Sequence, residues 1–315
     1  MPMEFPVRLQ GFDQADLPAR PLHLAIGMFD GVHLGHRRVI NAAVQAARAD
    51  AGLSGVLTFW PHPSALFRPD NPTKLILSAD CRARLLTDLG IDVVITEAFT
   101  AELAMVSAER FVVWLKQRLP RLAGIYVGDN FRFGRGRAGD VALLNATGSA
   151  AGVRVGSTPR VQHDGEPVSS TRIRALLEAG EIATVNALLG YSYFAEGVVT
   201  SGKQLGRTLG FPTLNVPWSP ELRPRLGVYA VRVFGAQSGT SFAGVANYGL
   251  RPTVEQATTP RLEVNLLDEC PFGTGDALRV EWLSFIRPEH KFSDLEALRM
   301  QIGRDRAAAA VVFGR

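Results

Sequence analysis

Two histidines three positions apart are the first residues whose type and spacing could support chemistry. His33 and His36 lie in GMFDGVHLGH, residues 27–36, directly after an apolar run and between glycines. Such a pair could bind a metal ion, act as a base, or donate hydrogen bonds to a phosphate. A metal site would need a third ligand nearby, whereas the remaining histidines are scattered, at positions 23, 62, 163 and 290. If a helix begins at this pair, its N–H groups and dipole favour an anion, so we expect a phosphate site.

Two later segments combine arginines with glycines or hydroxyl groups. VGDNFRFGRGRAGD, residues 127–140, carries Arg132 among glycines, which let the backbone approach phosphate oxygens closely. VSSTRIR, residues 168–174, places Thr171 just before a helical pattern and Arg174 within its first turn. Taken alone, the first segment is also typical of a solvated loop and the second of an ordinary helix cap. Arginine in a first turn opposes the helix dipole, however, and this favours a bound anion.

The elements that must position these residues alternate between strands and helices up to about residue 190. Apolar, β-rich runs occupy residues 22–29, 55–59, 91–96, 124–129 and 153–161. Between them, helical spacing runs from Val39 to Ala47, and another helix is predicted over 107–119 with Ser107 as its cap. This alternation predicts a doubly wound α/β domain with a parallel sheet. Its ligands should collect at the carboxyl ends of the strands, where His33 and His36 lie.

After residue 190 the pattern changes to short strands separated by Gly and Pro turns. These strands are predicted at 194–200, 227–234, 241–247, 261–267 and 277–285. SDLE, residues 293–296, has the form of a capping box and begins a helical pattern that runs to about residue 311. The pattern predicts a small antiparallel β-barrel with a C-terminal helix. We therefore place one domain at 1–187 and the second at 188–315.

Composition narrows the class of protein. At 315 residues, 46% hydrophobic and 20% charged, the chain resembles an ordinary globular protein long enough for two domains. The 34 basic and 30 acidic residues form no polybasic run, so we expect no nucleic-acid partner. The first twenty residues lack an apolar secretory core and no apolar stretch has membrane-spanning length, which predicts a cytoplasmic protein without a membrane role. Cys81 and Cys270 lie far apart and are expected to be buried, reduced thiols.

In the second domain, one segment combines glycines with neutral oxygen ligands. SGKQLGRTLGFPTLNV, residues 201–216, ends in Thr213 and Asn215, which are separated by one residue. On an extended segment both side chains would point to the same face and could hold Mg²⁺ against a nucleotide. The short PTLN stretch alone is more often a simple turn.

Together these segments resemble a known family. The three N-terminal segments, in this order and at this spacing, resemble the adenylyltransferase module of bacterial bifunctional riboflavin kinase/FAD synthetases. The first and third are typical of the wider nucleotidyltransferase superfamily, and the middle one, with TFWPHP at 58–63, is similar to the flavin branch. Residues 201–216, followed by GVYAV, GVANYGLRPTV, LEVNLLD and IRPEHKF, resemble the riboflavin kinase module. The chain departs from many relatives at Asn130 (Asp), Asn265 (His) and PFGTG (a Tyr-Gly pair).

The resemblance implies an enzyme that phosphorylates riboflavin to FMN with ATP and then adenylylates FMN to FAD, releasing pyrophosphate. Glu263 is implied as the base of the kinase step, with Thr213 and Asn215 holding Mg²⁺. His33, His36 and Arg174 are implied on the ATP phosphates of the second reaction. Further binding residues implied for the first domain are Gly27, Phe29, Asp30, Arg132, Ser170 and Thr171, with Phe59, His62 and Asn130 on the flavin side. Those implied for the kinase nucleotide are Gly202, Lys203, Gly206 and Gly210.

Two other functions stay open from the residues alone. A nucleotidyltransferase for another phosphorylated metabolite, joined to an unrelated barrel, would form no FMN. A flavin- or RNA-binding regulator with the same fold would bind flavin without consuming ATP.

Overall fold

The computed structural model of the chain describes residues 6–12, 17–202, 206, 209–235, 239–250 and 260–315. The chain divides into two units, Met1–Ser170 and Thr171–Arg315. Each unit has its own sheet.

The first unit is built on a six-stranded, fully parallel sheet. Its strands are β1 (Val7–Gln10), β2 (Leu22–Ile26), β3 (Leu53–Trp60), β4 (Val93–Ala98), β5 (Leu122–Gly128) and β6 (Arg154–Thr158). Their order is β1-β4-β3-β2-β5-β6, so the direction of winding reverses next to β2. Because ligands of such sheets bind where the winding reverses, the loop after β2 is the expected binding position. A short hairpin, β7 (Gln162–His163) with β8 (Glu166–Pro167), follows the sheet.

Helices connect these strands, as a doubly wound fold requires. They are α1 (Leu34–Ala49), α2 (Pro63–Phe67), α3 (Ala79–Thr87), α4 (Ala101–Ala104), α5 (Phe111–Arg118) and α6 (Val141–Ala150), with a 3₁₀ turn at Arg135–Arg137. The face of α1 from Val39 to Ala47 is buried against the sheet, as its spacing predicts. The prediction for α5 was wrong at its start: the helix begins at Phe111, and the amide of Arg110 donates to the carbonyl of Ser107 in a preceding turn.

The second unit begins with two helices and continues as an antiparallel barrel. After α7 (Ser170–Ala179) and α8 (Ile182–Leu189) come β9 (Phe194–Val198), β10 (Leu214–Val216), β11 (Gly227–Gly235), β12 (Ser241–Gly249), β13 (Arg261–Leu266) and β14 (Ala277–Arg287). Their order is β10-β13-β12-β11-β14-β9. A bridge between Thr200 and Asn215 links the two edges, so the barrel is nearly closed. The predicted fold class is confirmed for both units.

The final helix, α9 (Leu295–Val312), packs on the outside of the barrel strands. Its cap is Asp294, whose carboxylate accepts from the amide of Ala297, so the prediction of Ser293 as the capping residue was wrong by one position. Arg287 on β14 forms a bidentate ion pair with the buried Asp305 of this helix, with Nε 2.8 Å from Oδ1 and Nη2 2.7 Å from Oδ2. The helix is therefore fixed to β14 independently of its other contacts.

Helix α8 is also part of the barrel unit. Asn186 donates to the carbonyl of Trp282 on β14 and accepts from the amide of Tyr193, both at 2.8 Å. The predicted boundary between 187 and 188 falls inside this helix and stays a prediction. No helix within the described ranges is long and apolar enough to cross a membrane. The two cysteines form no disulfide in the described part of the chain, and both are half-buried rather than buried as expected.

Candidate active sites

The loop between β2 and α1, residues 27–33, is held in a strained path. Phe29 and Val32 have φ angles of +49° and +40°, in the left-handed region that side chains rarely adopt. The carbonyl of Met28 accepts from Thr58 Oγ1 at 3.1 Å and from Nη1 of the buried Arg82 at 3.0 Å. Strain that persists under several hydrogen bonds is typical of a binding loop.

Asp30 links this loop to two other segments. Its carboxylate accepts from the amides of Ile76 at 3.0 Å and Leu77 at 3.4 Å, and its side chain is buried. Its backbone carbonyl accepts from Ser170 Oγ at 2.9 Å. These contacts give Asp30 a supporting role in the loop, and its predicted role in ligand binding stays a prediction. Ser170 is likewise anchored to the loop through its hydroxyl group.

His33 and His36 lie together at the N-terminus of α1. His33 is the N-cap, and its Nδ1 accepts from the amide of His36 at 3.3 Å. Because Nδ1 acts as an acceptor, the neutral His33 ring carries its proton on Nε2 and presents a donor there. The two rings are stacked, with centroids 3.5 Å apart and planes 15° from parallel. The pair predicted from the sequence is thus a single unit of two imidazoles.

The surroundings of this pair favour an anion. The first turn of α1 has no acidic residue, so the positive end of its dipole is not offset. Gly35 lets the His33 ring lie against the helix, because a Cβ there would be 3.1 Å from His33 Cε1. Phe29 is buried, and its ring packs edge-on against the His36 ring with centroids 5.3 Å apart, so it helps to hold that ring in place. Gly27 leaves room for Phe29, since a Cβ there would come within 3.2 Å of the Phe29 ring.

The residues expected on the flavin side have different environments. Phe59 is half-buried on β3 and meets Phe99 edge-on at 6.0 Å. His62 caps the short helix α2 by accepting from the amide of Ser64 at 3.1 Å. Asn130 and Arg132 are exposed after β5, and Arg132 lies 3.6 Å from Asp140. Their roles in flavin binding stay predictions, and for His62 the cap is a structural role.

The third segment predicted from the sequence does open a helix. Helix α7 starts at Ser170, so Thr171 and Arg174 lie in its first turns, and that first turn has no acidic residue. Ser170 belongs to the first unit, whereas Thr171 and Arg174 belong to the second. The predicted roles of Thr171 and Arg174 on the triphosphate stay predictions.

In the second unit, strand register places the predicted kinase residues in one row. Asn215 on β10 pairs directly with Glu263 on β13, and Glu263 pairs on its other side with Asn247 on β12. Paired residues of antiparallel strands lie on the same face, with Cβ atoms about 5 Å apart. Thr213 shares this face with Asn215, because Leu214 and Val216 between and after them are buried on the opposite face. Sequence spacing could not reveal Asn247, since only the strand pairing brings it to the row.

Two of the predicted glycines lie directly against these side chains. At Gly202 a Cβ would overlap the Asn215 amide, and at Gly206 it would lie 3.2 Å from Thr213 Oγ1. Gly210 has a φ of +85°, which only glycine adopts without strain. The amide of Phe211 donates to the carbonyl of Gly206 at 2.7 Å, which brings these two positions of the glycine-containing segment together. Lys203 lies outside the described residues.

The donor set fits Mg²⁺ better than a transition metal. No cluster of three or more His, Cys, Asp or Glu side chains that could hold a metal occurs among the residues that the structure describes. The Thr213 hydroxyl and the Asn215 amide oxygen would instead offer hard, neutral ligands on the face that carries Glu263. Mg²⁺ commonly combines a few such protein oxygens with the phosphates of a nucleotide.

Comparison with protein-family models matches residues 17–172 to FAD synthetase and residues 189–313 to riboflavin kinase. The bifunctional riboflavin kinase/FMN adenylyltransferase of Escherichia coli (strain K12) is 38% identical over 291 residues, covering 92% of each chain. The protein of the same description from Bacillus subtilis (strain 168) is 34% identical over 296 residues, again covering 92% of each. A crystal structure described as a macrolide-efflux protein from Streptococcus pneumoniae has a TM-score of 0.86 at 26% identity, covering 96% of this chain and 98% of that one. The last comparison shows that the two-unit fold is shared.

A parallel-sheet unit that matches FAD synthetase, followed by an antiparallel barrel that matches riboflavin kinase, defines a nucleotidyltransferase joined to a riboflavin kinase. The chain belongs to the family of bifunctional riboflavin kinase/FMN adenylyltransferases. The resemblance and the enzyme class predicted from the sequence are therefore confirmed, with riboflavin, FMN, FAD and ATP as substrates and products. The alternative of another metabolite and an unrelated barrel is wrong, because the barrel itself matches riboflavin kinase.

Proposed function

We propose that the two activities of the family use separate sites in this chain, one in each unit. FMN is adenylylated at the His33–His36 pair, and riboflavin is phosphorylated at the row of Asn215 and Glu263. The observation that supports this division is that the stacked His33–His36 pair lies in the first unit, whereas the paired Asn215 and Glu263 lie in the second. The expected cytoplasmic location stays a prediction.

In the adenylyltransferase site, a phosphate oxygen of FMN attacks the α-phosphorus of ATP. The bond from that phosphorus to the bridging oxygen breaks, and pyrophosphate leaves. The FMN phosphate is already ionised, so the step needs positioning and charge stabilisation rather than a strong base. The Nε2–H of His33, the His36 ring and the N-terminus of α1 stabilise the negative charge that develops on the phosphates. The roles of Arg174 and Thr171 on the triphosphate are those that the family resemblance implies.

In the kinase site, the 5′-hydroxyl oxygen of riboflavin attacks the γ-phosphorus of ATP, and ADP leaves with the bridging oxygen. The proton of that hydroxyl passes to the Glu263 carboxylate, which acts as general base. Thr213 and Asn215 would hold Mg²⁺, which supplies charge neutralisation at the phosphates when bound. Gly202 and Gly206 lack side chains where Asn215 and Thr213 lie against their backbones, so both side chains keep the positions proposed for holding the ion.

The experiment that tests this division compares Glu263→Gln with a matched control, Glu296→Gln. Both remove a carboxylate from the second unit, but Glu296 lies exposed on α9. Glu263→Gln should lower FMN formation by about 10² to 10⁴, the usual cost of a general base. FAD formation from added FMN should stay at the wild-type rate in both variants. Normal riboflavin phosphorylation by Glu263→Gln would show that the base lies elsewhere.

A further inference from the structure

A cavity of about 190 Å³ lies in the second unit, beside the row that carries Glu263. One wall is formed by residues 210–212, which lead directly into Thr213. The opposite wall is formed by residues of the 265–270 segment, which follows Glu263 along the chain. Arg306, on α9, completes the lining. The cavity thus lies between the two segments that supply the proposed Mg²⁺ ligands and the base.

The side chain of Arg306 connects helix α9 to the end of β13. Its Nη1 donates to Asn265 Oδ1 and, at 2.7 Å, to the carbonyl of Leu266. Its Nη2 donates to the carbonyl of Leu267 at 2.7 Å. These acceptors are neutral, so the positive charge of Arg306 is kept at the cavity wall. Asp268 also lines the cavity, but its carboxylate is paired with Nη1 of Arg315, so the Arg306 charge favours an anionic ligand such as a nucleotide.

Asn265 in turn is hydrogen-bonded to the wall formed by residues 210–212. Its Nδ2 donates to the carbonyl of Pro212 at 2.7 Å, and the side chain is buried with only 5% exposure. Pro212 immediately precedes Thr213, and Asn265 is two residues from Glu263 on the same strand face. A chain of hydrogen bonds therefore runs from Arg306 through Asn265 to the segment that carries Thr213.

We propose that Arg306 is a positioning residue for the phosphorylation of riboflavin. By holding Asn265 against Pro212, it fixes the distance between Thr213 and Glu263 and so aligns the nucleotide phosphates with the base. This inference rests on the proposed kinase site. Arg306 is not needed to attach α9 to the barrel, because the ion pair between Arg287 and Asp305 does this separately.

The test uses the full-length chain with Arg306→Met, and with Arg304→Met as matched control. Arg304 is exposed two residues earlier on the same helix, about 200° around the helix axis from Arg306. Its loss therefore removes the same charge from α9 without touching the cavity. Arg306→Met should lower kcat/KM for ATP in FMN formation by about tenfold or more, the effect of losing a charged hydrogen bond. It should also raise the Mg²⁺ concentration needed for half-maximal rate. Arg304→Met should match the wild type, and all variants should form FAD from added FMN normally.

A second comparison distinguishes positioning from support of the fold. Asn265→Ala interrupts the same chain of hydrogen bonds, so the double variant with Arg306→Met should be no worse than the more affected single variant. If Arg306→Met does not fold, Arg306→Lys keeps the charge but cannot reach the three acceptors together, and should show the same rise in Mg²⁺ requirement. Wild-type Mg²⁺ dependence and kcat/KM in a folded Arg306 variant, or additive losses in the double variant, would overturn the inference. A wild-type chain that forms no FMN would instead refute the proposed function.

Discussion

His33 has two roles that substitution can separate, a cap for α1 and a donor to the ATP phosphates. His33→Ala removes both roles. It loses the hydrogen bond from the His36 amide, which is worth about 0.5–2 kcal/mol as a helix cap. It also loses the stacked contact with His36, worth about 0.5–1.5 kcal/mol by analogy with aromatic pairs. His33→Asn keeps an excellent capping residue and loses only the ring, so it should recover most of the cap contribution.

The rates of FAD formation by His33→Ala and His33→Asn should not follow the free energies of unfolding of the two variants. Both variants lack the imidazole donor, so FAD formation from FMN should fall by about 10² or more in each. Unfolding by urea measures the free energy of unfolding, and chromatography of the flavins measures the rate. FMN formation from riboflavin by the second unit serves as the internal control. If His33→Asn recovers FAD formation together with stability, His33 is only a helix cap and the proposed site is wrong.

Three further predictions concern the barrel loop, the unit boundary and a buried histidine. Gly206→Ala should reduce FMN formation by about tenfold or more, because the added methyl group would overlap the Phe211 carbonyl oxygen and press on the Thr213 side chain, so the backbone that leads into Thr213 must shift. Gly273→Ala, whose Cβ would meet nothing within 4 Å, should be neutral. A fragment of residues 171–315 should unfold at a higher urea concentration than one of 186–315, because only the longer fragment keeps all of α8; equal midpoints would contradict this. Burial lowers the pKa of His23, so its unfolded state takes up a proton first and stability should fall as pH drops below about 6.5. His23→Gln should weaken the dependence of stability on pH between pH 7.5 and 5.5. Identical slopes of stability against pH in the variant and the wild type would exclude a contribution from His23.

Much of the fold could be predicted because its strands are apolar and its helices periodic. The face of α1 from Val39 to Ala47 is an example, since burial of one helix face leaves a regular spacing in the sequence. The strand β1 was missed, because four residues at a sheet edge carry little pattern. Both predicted capping residues, Ser107 and Ser293, were wrong, because a neighbouring turn or Asp294 provides the actual start.

Spacing alone grouped only those candidate residues that are close in sequence, and Glu263 was joined to Thr213 and Asn215 only through the family resemblance. His33 and His36 are neighbours on one helix turn, so their pairing follows from spacing alone. Arg82 was missed because a buried arginine on α3 that supports the Met28 carbonyl has no local signal. The contact of Arg306 with Asn265 joins residues that are 41 positions apart, which only the folded barrel brings together.

The most direct test of the account is to incubate the full-length chain with riboflavin, ATP and Mg²⁺ and to separate the flavins by chromatography over time. We expect riboflavin to be converted first to FMN and then to FAD, with ADP released in the first step and pyrophosphate in the second. Omission of Mg²⁺ should abolish FMN formation, since Thr213 and Asn215 are proposed to hold the ion. A folded sample that binds riboflavin but consumes no ATP would contradict the account and favour a flavin-binding regulator instead.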